Sequence, residues 1–119
     1  MLKKENRLKK RYQYNYVYKK GEKINEKHIC IYFTTSKTKD IKVGFAVTKK
    51  IGKAHIRNLV RRRLREIVYR HLPNLKQNYN IIVVAKENII EESFAGLEKE
   101  FANATLKAGI RAWKSFLNF

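Results

Sequence analysis

The spacing of apolar residues changes several times along the chain, and each change marks a predicted element. In HICIYFTT (28–35) and IKVGFAVT (41–48), β-branched and aromatic residues are concentrated as strands require, and SKTKD between them has the composition of a turn. The two segments are therefore predicted to pair as a hairpin. From about His55 to His71 the spacing becomes helical, with Ile56, Val60, Leu64 and Ile67 on one side, and the helix is predicted to stop near Pro73, the only proline. IIVVA (81–85) is a short continuous apolar run, the pattern of a strand covered on both faces. From about Ile90 to Leu117 the pattern is helical again, leaving Leu97, Phe101, Leu106, Ile110, Trp113 and Leu117 to pack. The segment RYQYNYVYKKG is ambiguous: its tyrosines alternate as in a strand, yet Tyr14 and Tyr18 are four apart, as on a helix face. Lys19 and Lys20 followed by Gly21 favour a helix, with basic residues at the negative dipole end and glycine in the left-handed position. The order is helix, two or three strands, helix, strand, helix, which predicts an α+β sandwich.

Charge narrows the class of partner. The 119 residues, read as one domain (1–119), carry a net charge of +18. Residues 1–70 hold 22 Lys/Arg against five acids, whereas residues 71–119 hold six against five. A merely soluble surface would mix both signs, so so one-sided an offset implies a polyanionic partner. No apolar run approaches the roughly 18–20 residues needed to span a bilayer, and no apolar stretch follows the basic start as in a signal peptide. Cys30 is the single cysteine and cannot form an internal disulfide; in HICIYF it reads as a buried strand residue. A cytoplasmic protein is expected.

The chemistry concentrates in residues 49–65, KKIGKAHIRNLVRRRLR, where eight of seventeen residues are Lys or Arg and none is acidic. Beside the apolar side of the predicted helix run Arg57, Arg61 and Arg65, with Asn58 and Arg62 continuing the row. Arg suits phosphate because its planar fork donates two parallel, charge-assisted hydrogen bonds. Tyr14, Tyr18 and Tyr32 lie in the same basic half and could stack on unpaired bases, or could equally be core residues with the hydroxyl outside. Catalysis by the chain itself is not expected. A two-metal nuclease needs converging carboxylates, and the only Asp is Asp40 in a predicted turn. His28, His55 and His71 share no metal-ligand spacing with Cys30, so a zinc site is not expected either. No activated nucleophile is visible, and Gly44 and Gly52 belong to no phosphate-loop pattern.

The string GFAVTKKIGKAHIRNLVRRRLREIV resembles the protein subunit of bacterial ribonuclease P. That family's signature is a strand ending in Ser/Thr-Lys-Lys, then Gly-x-Ala, then Arg-Asn-Arg-x-Lys/Arg-Arg-x-x-Arg. Thr48, Lys49, Lys50, Gly52, Ala54, Arg57, Asn58, Arg61, Arg62 and Arg65 fall on it. Leu59 departs, standing where the family usually has the second arginine of Arg-Asn-Arg. RLKKRYQYNYVYKKG fits the family's Arg-Leu-Lys-Lys start, IIVVAK fits the strand after the basic helix, and the likeness spans roughly residues 7–112. The resemblance implies a two-layer α-β sandwich with a sheet of about four strands and a left-handed βαβ crossover, an exception to the usual hand. It implies that a catalytic RNA subunit holds magnesium and removes the 5′ leader of precursor tRNA, the protein alone being inactive and binding no metal. Lys49, Lys50, Lys53, Arg57, Asn58, Arg61, Arg62 and Arg65 would then bind the RNA subunit, and Tyr14, Tyr18 and Tyr32 the leader. A general or ribosomal RNA-binding module would explain the charge and the tyrosines but not the Lys-Lys-x-Gly-x-Ala-x-x-Arg-Asn spacing. A DNA-binding regulator would need a second short helix and a dimer surface.

Overall fold

The computed structural model describes residues 2–111. Helix α1 (Arg11–Lys20) leads into strands β1 (Glu22–Asn25), β2 (Ile29–Thr35) and β3 (Lys42–Ala46). Helix α2 (Ala54–His71), strand β4 (Tyr79–Ala85) and helix α3 (Phe94–Ala108) follow. The tyrosine-rich segment is thus helical. Its start is fixed by Gln13, whose Oε1 accepts from the backbone N–H groups of Lys9 and Lys10 at 3.0 Å each.

The four strands form one sheet in the order β1-β2-β4-β3, so the predicted hairpin between 28–35 and 41–48 does not exist. β2 pairs antiparallel with β1 on one side (Ile24↔Ile31) and with β4 on the other (Ile31↔Val83). β3 pairs parallel with β4 (Val43↔Ile81, Phe45↔Val83), making β3–α2–β4 a crossover unit. The physical reason is burial. β4 carries apolar residues on both faces, with Ile81, Ile82 and Val83 fully buried, and it belongs at the centre of the sheet. The true hairpin partner of β2 is β1, whose EKIN sequence is mostly exposed and gives no apolar signal.

Alternation along β4 sends its side chains into two cores. Ile81, Val83 and Ala85 join Ile29, Ile31 and Phe33 of β2 beneath Val60, Leu64, Ile67 and Val68 of α2 and Leu97 and Phe101 of α3. On the opposite face Ile82 packs with Leu8 and Val17, flanked by Tyr14, Tyr32, Ala46 and Val84, so α1 covers part of that side.

Both ends of α3 differ from the sequence reading, whereas α2 ends as expected. α3 starts only at Phe94, where the Ser93 hydroxyl caps it by accepting from Gly96 N–H at 3.0 Å. It stops at Gly109, which is left-handed (φ 73°). Leu106 is 47 % exposed rather than packed, whereas Ile110 is fully buried; Trp113 and Leu117 lie outside the described residues. α2 ends at His71, with Pro73 in the 3-10 turn Leu72–Asn74 that follows. Gly21 is not left-handed but extended (φ −83°, ψ 166°). Its lack of a side chain is needed for another reason: a Cβ there would lie 2.5 Å from the Val17 carbonyl oxygen and 2.7 Å from that of Phe33.

Candidate nucleic-acid interface

β3 runs into a 3-10 turn, Lys49–Ile51, and then Gly52, before α2 begins. Ile51 is buried and anchors this connection, while Lys49, Lys50 and Lys53 are all exposed. Gly52 has φ 148°, a conformation strained for any residue with a Cβ, and this lets the chain reverse between strand and helix. α2 opens at Lys53 without a side-chain cap, so its positive dipole end lies among those lysines.

Along α2 the ladder read from the sequence is present in graded exposure. Asn58, Arg62 and Arg65 are exposed, and Arg57 and Arg61 are half-buried. Arg61 is held in place: one guanidinium nitrogen donates to Asn58 Oδ1 at 3.1 Å and the other to the Val47 carbonyl at 3.4 Å. Arg57 Nε is buried and finds no hydrogen-bond partner among the described residues. Leu59 is half-buried and lines an apolar groove of about 310 Å³ with Ile56, Val60, Ile90 and Leu97. At this position the chain presents carbon where its neighbours on the helix present guanidinium.

The three tyrosines come together on the α1 side of the sheet. Tyr18 and Tyr32 meet edge to face with ring centroids 4.8 Å apart, and Lys23 Nζ stands 5.4 Å from the Tyr32 ring centre. Tyr18 is 39 % exposed, whereas Tyr14 and Tyr32 are half-buried. Burial, reinforced by Tyr32 and Tyr14, pushes the Tyr18 phenol above its usual range, so the hydroxyl stays protonated. Cys30 lies buried beneath, its thiol pushed up by burial against the opposing pull of Lys23 and Lys86. Tyr14 also reaches the edge of the sheet. It lines a cleft of about 340 Å³ together with Arg7, Leu8, Val43, Phe45 and, from α2, Arg61 and Arg65.

That cleft joins Tyr14 of the aromatic set to Arg61 and Arg65 of the basic set, which the sequence leaves unconnected. Arg7 and Phe45 are additions to the site. The alternation of β3 could have placed Phe45 on the side of Val43, and Arg7 opens the Arg-Leu-Lys-Lys start, but nothing local places it in this cleft. It arrives because Leu8 N–H donates to the Val43 carbonyl at 3.1 Å and because its own guanidinium holds the Leu2 carbonyl at 2.8 Å.

Comparison with known proteins decides what this surface belongs to. The family model described as ribonuclease P matches residues 2–109. The chain belongs to the ribonuclease P protein family. It is 35 % identical over 112 residues to the ribonuclease P protein component of Syntrophomonas wolfei, covering 94 % of each chain. It is 34 % identical over 101 residues to that of Natranaerobius thermophilus, covering 85 % of this chain and 88 % of the other. Among solved structures, the ribonuclease P protein of Staphylococcus aureus superposes with TM-score 0.83 at 24 % identity, over 90 % of this chain and 98 % of that one. The ribonuclease P protein of Thermotoga maritima gives TM-score 0.74 at 24 % identity, over 82 % and 92 %. The α-β sandwich is therefore the ribonuclease P protein fold. Membership makes the chain a subunit associated with an endoribonuclease of tRNA 5′ processing, working with an RNA subunit. No helix among the described residues is long and apolar enough to cross a membrane.

Proposed function

We propose that this ribonuclease P protein binds its RNA subunit through Lys49, Lys50, Lys53, Arg57, Asn58, Arg61, Arg62 and Arg65. In the same proposal it grips the 5′ leader of precursor tRNA over Tyr14, Tyr18 and Tyr32, in the cytoplasm. The observation that carries this reading is the single cleft shared by Tyr14, Arg61 and Arg65. One continuous surface then offers aromatic faces to unpaired bases and guanidinium groups to the phosphates between them. Cleavage is the work of the RNA, with magnesium held by RNA and substrate phosphates. The eight basic-helix and loop residues include no carboxylate that could take part in holding that ion. The protein's share is to bind, to orient and to neutralise phosphate repulsion.

The test is reconstitution with the RNA subunit and a precursor tRNA at low magnesium. The protein should stimulate leader removal, and protein without RNA should cut nothing. Replacing Asp40 by Asn should leave the stimulated rate unchanged. Cleavage by RNA-free protein would overturn the reading, as would an RNA whose rate and substrate affinity ignore the protein.

A further inference from the structure

At the β1 edge of the sheet, opposite β3, three side chains from distant parts of the sequence converge. His28 closes the β1–β2 turn, Glu92 immediately precedes the α3 cap Ser93, and Glu100 lies inside α3. One ligand atom from each lies within 4.8 Å of the others. We propose that His28, Glu92 and Glu100 form a binding site for a zinc-class divalent metal ion, which staples the β1–β2 turn to α3.

The arrangement is built. Each carboxylate is pinned by one oxygen and offers the other. Glu100 Oε1 accepts from the backbone N–H of His28 at 2.7 Å, leaving Oε2 facing His28 Nδ1 at 2.6 Å. Glu92 Oε1 accepts from the backbone N–H of Ser93 at 2.8 Å, leaving Oε2 3.7 Å from the same Nδ1. Such outer hydrogen bonds are what orient ligands around a metal. Gly96 completes the cradle, because a Cβ there would overlap the Glu92 carboxylate. The His28 ring is buried, so its direction is set by packing.

Hydrogen bonding alone accounts for only half of this geometry. Nδ1 can give one proton, and Glu100 takes that position; Glu92 Oε2 stands too far for a hydrogen bond and has no other partner among the described residues. In a chain with 28 Lys and Arg, neither Glu92 nor Glu100 forms an ion pair with any of them among the described residues. Lys27 is close enough to act on Glu92 through its charge but forms no ion pair with it, while Lys107 pairs with Glu26 at 2.8 Å and Lys86 Nζ donates to the Glu26 carbonyl. One sheltered carboxylate, Glu100, and one partly exposed carboxylate, Glu92, face the same imidazole with no direct Lys or Arg partner among the described residues, an arrangement that a divalent cation would draw together. A tetrahedral ion with bonds of about 2.0–2.1 Å separates its ligands by roughly 3.3 Å, between the two distances seen. With the three atoms lying within 4.8 Å of one another, closing onto the ion draws the partly exposed Glu92 side chain inward, with water as fourth ligand. One imidazole and two carboxylates suit zinc; magnesium prefers octahedral oxygen and would be taken poorly.

The experiment uses the full-length protein after treatment with a chelator. Zinc(II) and magnesium(II) are titrated separately by calorimetry, thermal denaturation is followed with and without each ion, and cobalt(II) absorption reports the geometry. One equivalent of zinc should bind and raise the melting temperature by several degrees, magnesium should do neither, and cobalt should give a tetrahedral spectrum. Glu92→Gln keeps the His28–Glu100 pair, so its melting temperature in chelator should match that of the parent while zinc affinity falls about ten-fold or more. A His55→Gln, His71→Gln double variant should keep the parent's zinc affinity. The proposal is overturned if no stoichiometric zinc binding occurs, or if Glu92→Gln binds zinc as tightly as the parent.

Discussion

The Tyr14 ring lies directly over Gly44 of β3: a Cβ at residue 44 would stand 2.5 Å from the ring's Cζ and hydroxyl. The aromatic surface and the sheet edge are thus locked together where β3 has no side chain. Gly44→Ala should push Tyr14 off the sheet and lower stability by about 1–3 kcal/mol, as overpacking does. Precursor affinity should fall with it. Chemical denaturation beside precursor tRNA binding checks both; a variant with unchanged stability would mean the ring moves aside freely.

The tyrosines should separate into two kinds. Tyr18 is the most exposed of the three, so Tyr18→Leu should weaken precursor tRNA binding by about ten-fold, in line with the roughly 1–3 kcal/mol of a base–aromatic stack. Mature tRNA affinity and melting temperature should stay put, and Tyr18→Phe should behave as the parent. Tyr14→Leu should instead lower the melting temperature, because that ring packs with Leu8, Val17 and Ile82. Equal losses for both tRNAs with Tyr18→Leu would return that ring to the core.

Arg61 and Arg65 test the basic face. Each lost phosphate contact lowers the slope of log affinity against log salt by about one. Arg61→Ala with Arg65→Ala should therefore reduce the slope for the RNA subunit by about two. Arg65→Ala should change stability by no more than about 0.5 kcal/mol, as at other surface positions, and Arg61→Ala should cost about 1 kcal/mol because its hydrogen bonds to Asn58 and the Val47 carbonyl are lost. An unchanged salt slope would remove these residues from the interface.

Leu59 offers the converse experiment. It faces an apolar groove beside Ile56 and Ile90 rather than continuing the guanidinium row. Leu59→Arg should raise RNA-subunit affinity several-fold at low salt and steepen the salt slope by about one. Filter binding across a salt series would show this; a flat response would place the RNA away from that turn of α2.

Stability should depend on pH through His71. Burial, then the Arg111 guanidinium, holds its pKa below the usual 6.5, and Glu98 opposes them. His71 Nε2 lies 3.4 Å from Glu98 and Nδ1 3.3 Å from Arg111, with Arg70 also near. The folded state binds this proton less readily than the unfolded chain. Stability is therefore full above 6.5 and declines as pH falls from 6.5 toward the depressed folded value. The melting temperature should drop across that window, and His71→Gln should flatten this part of the profile. A drop of equal size in His71→Gln would assign it to other groups.

What the sequence makes legible follows from how local each signal is. The basic helix was readable because Val60, Leu64 and Ile67 repeat at helical spacing and all three are buried. The burial of β4 was readable because IIVVA has no polar break. Strand order was not, because nothing in 28–35 or 41–48 says that residues 79–85 will come between them. The edge strand β1 fills the third strand that the sequence leaves open, and its position is not legible because EKIN is polar. The shared cleft is half legible: the sequence marks Tyr14, Arg61 and Arg65 separately, but the contact that unites them is made through tertiary packing. Most hidden was the group His28, Glu92 and Glu100, since His28 and Glu100 are 72 positions apart and neither belongs to a local metal-binding spacing.

The position of β4 between β2 and β3 sets an order of assembly. β3 supplies Gly44 under Tyr14, its continuation supplies the Val47 carbonyl that Arg61 holds, and its only full strand partner among the described residues is β4. A chain growing from the ribosome has therefore made its tyrosines and its arginines well before it makes the strand that fixes their relative position. The proposed RNA-binding surface comes into being as a unit only after residue 85 has docked, a non-local closure that is intrinsically slow. Until then the most basic part of the protein exists without the geometry that would let it discriminate one polyanion from another.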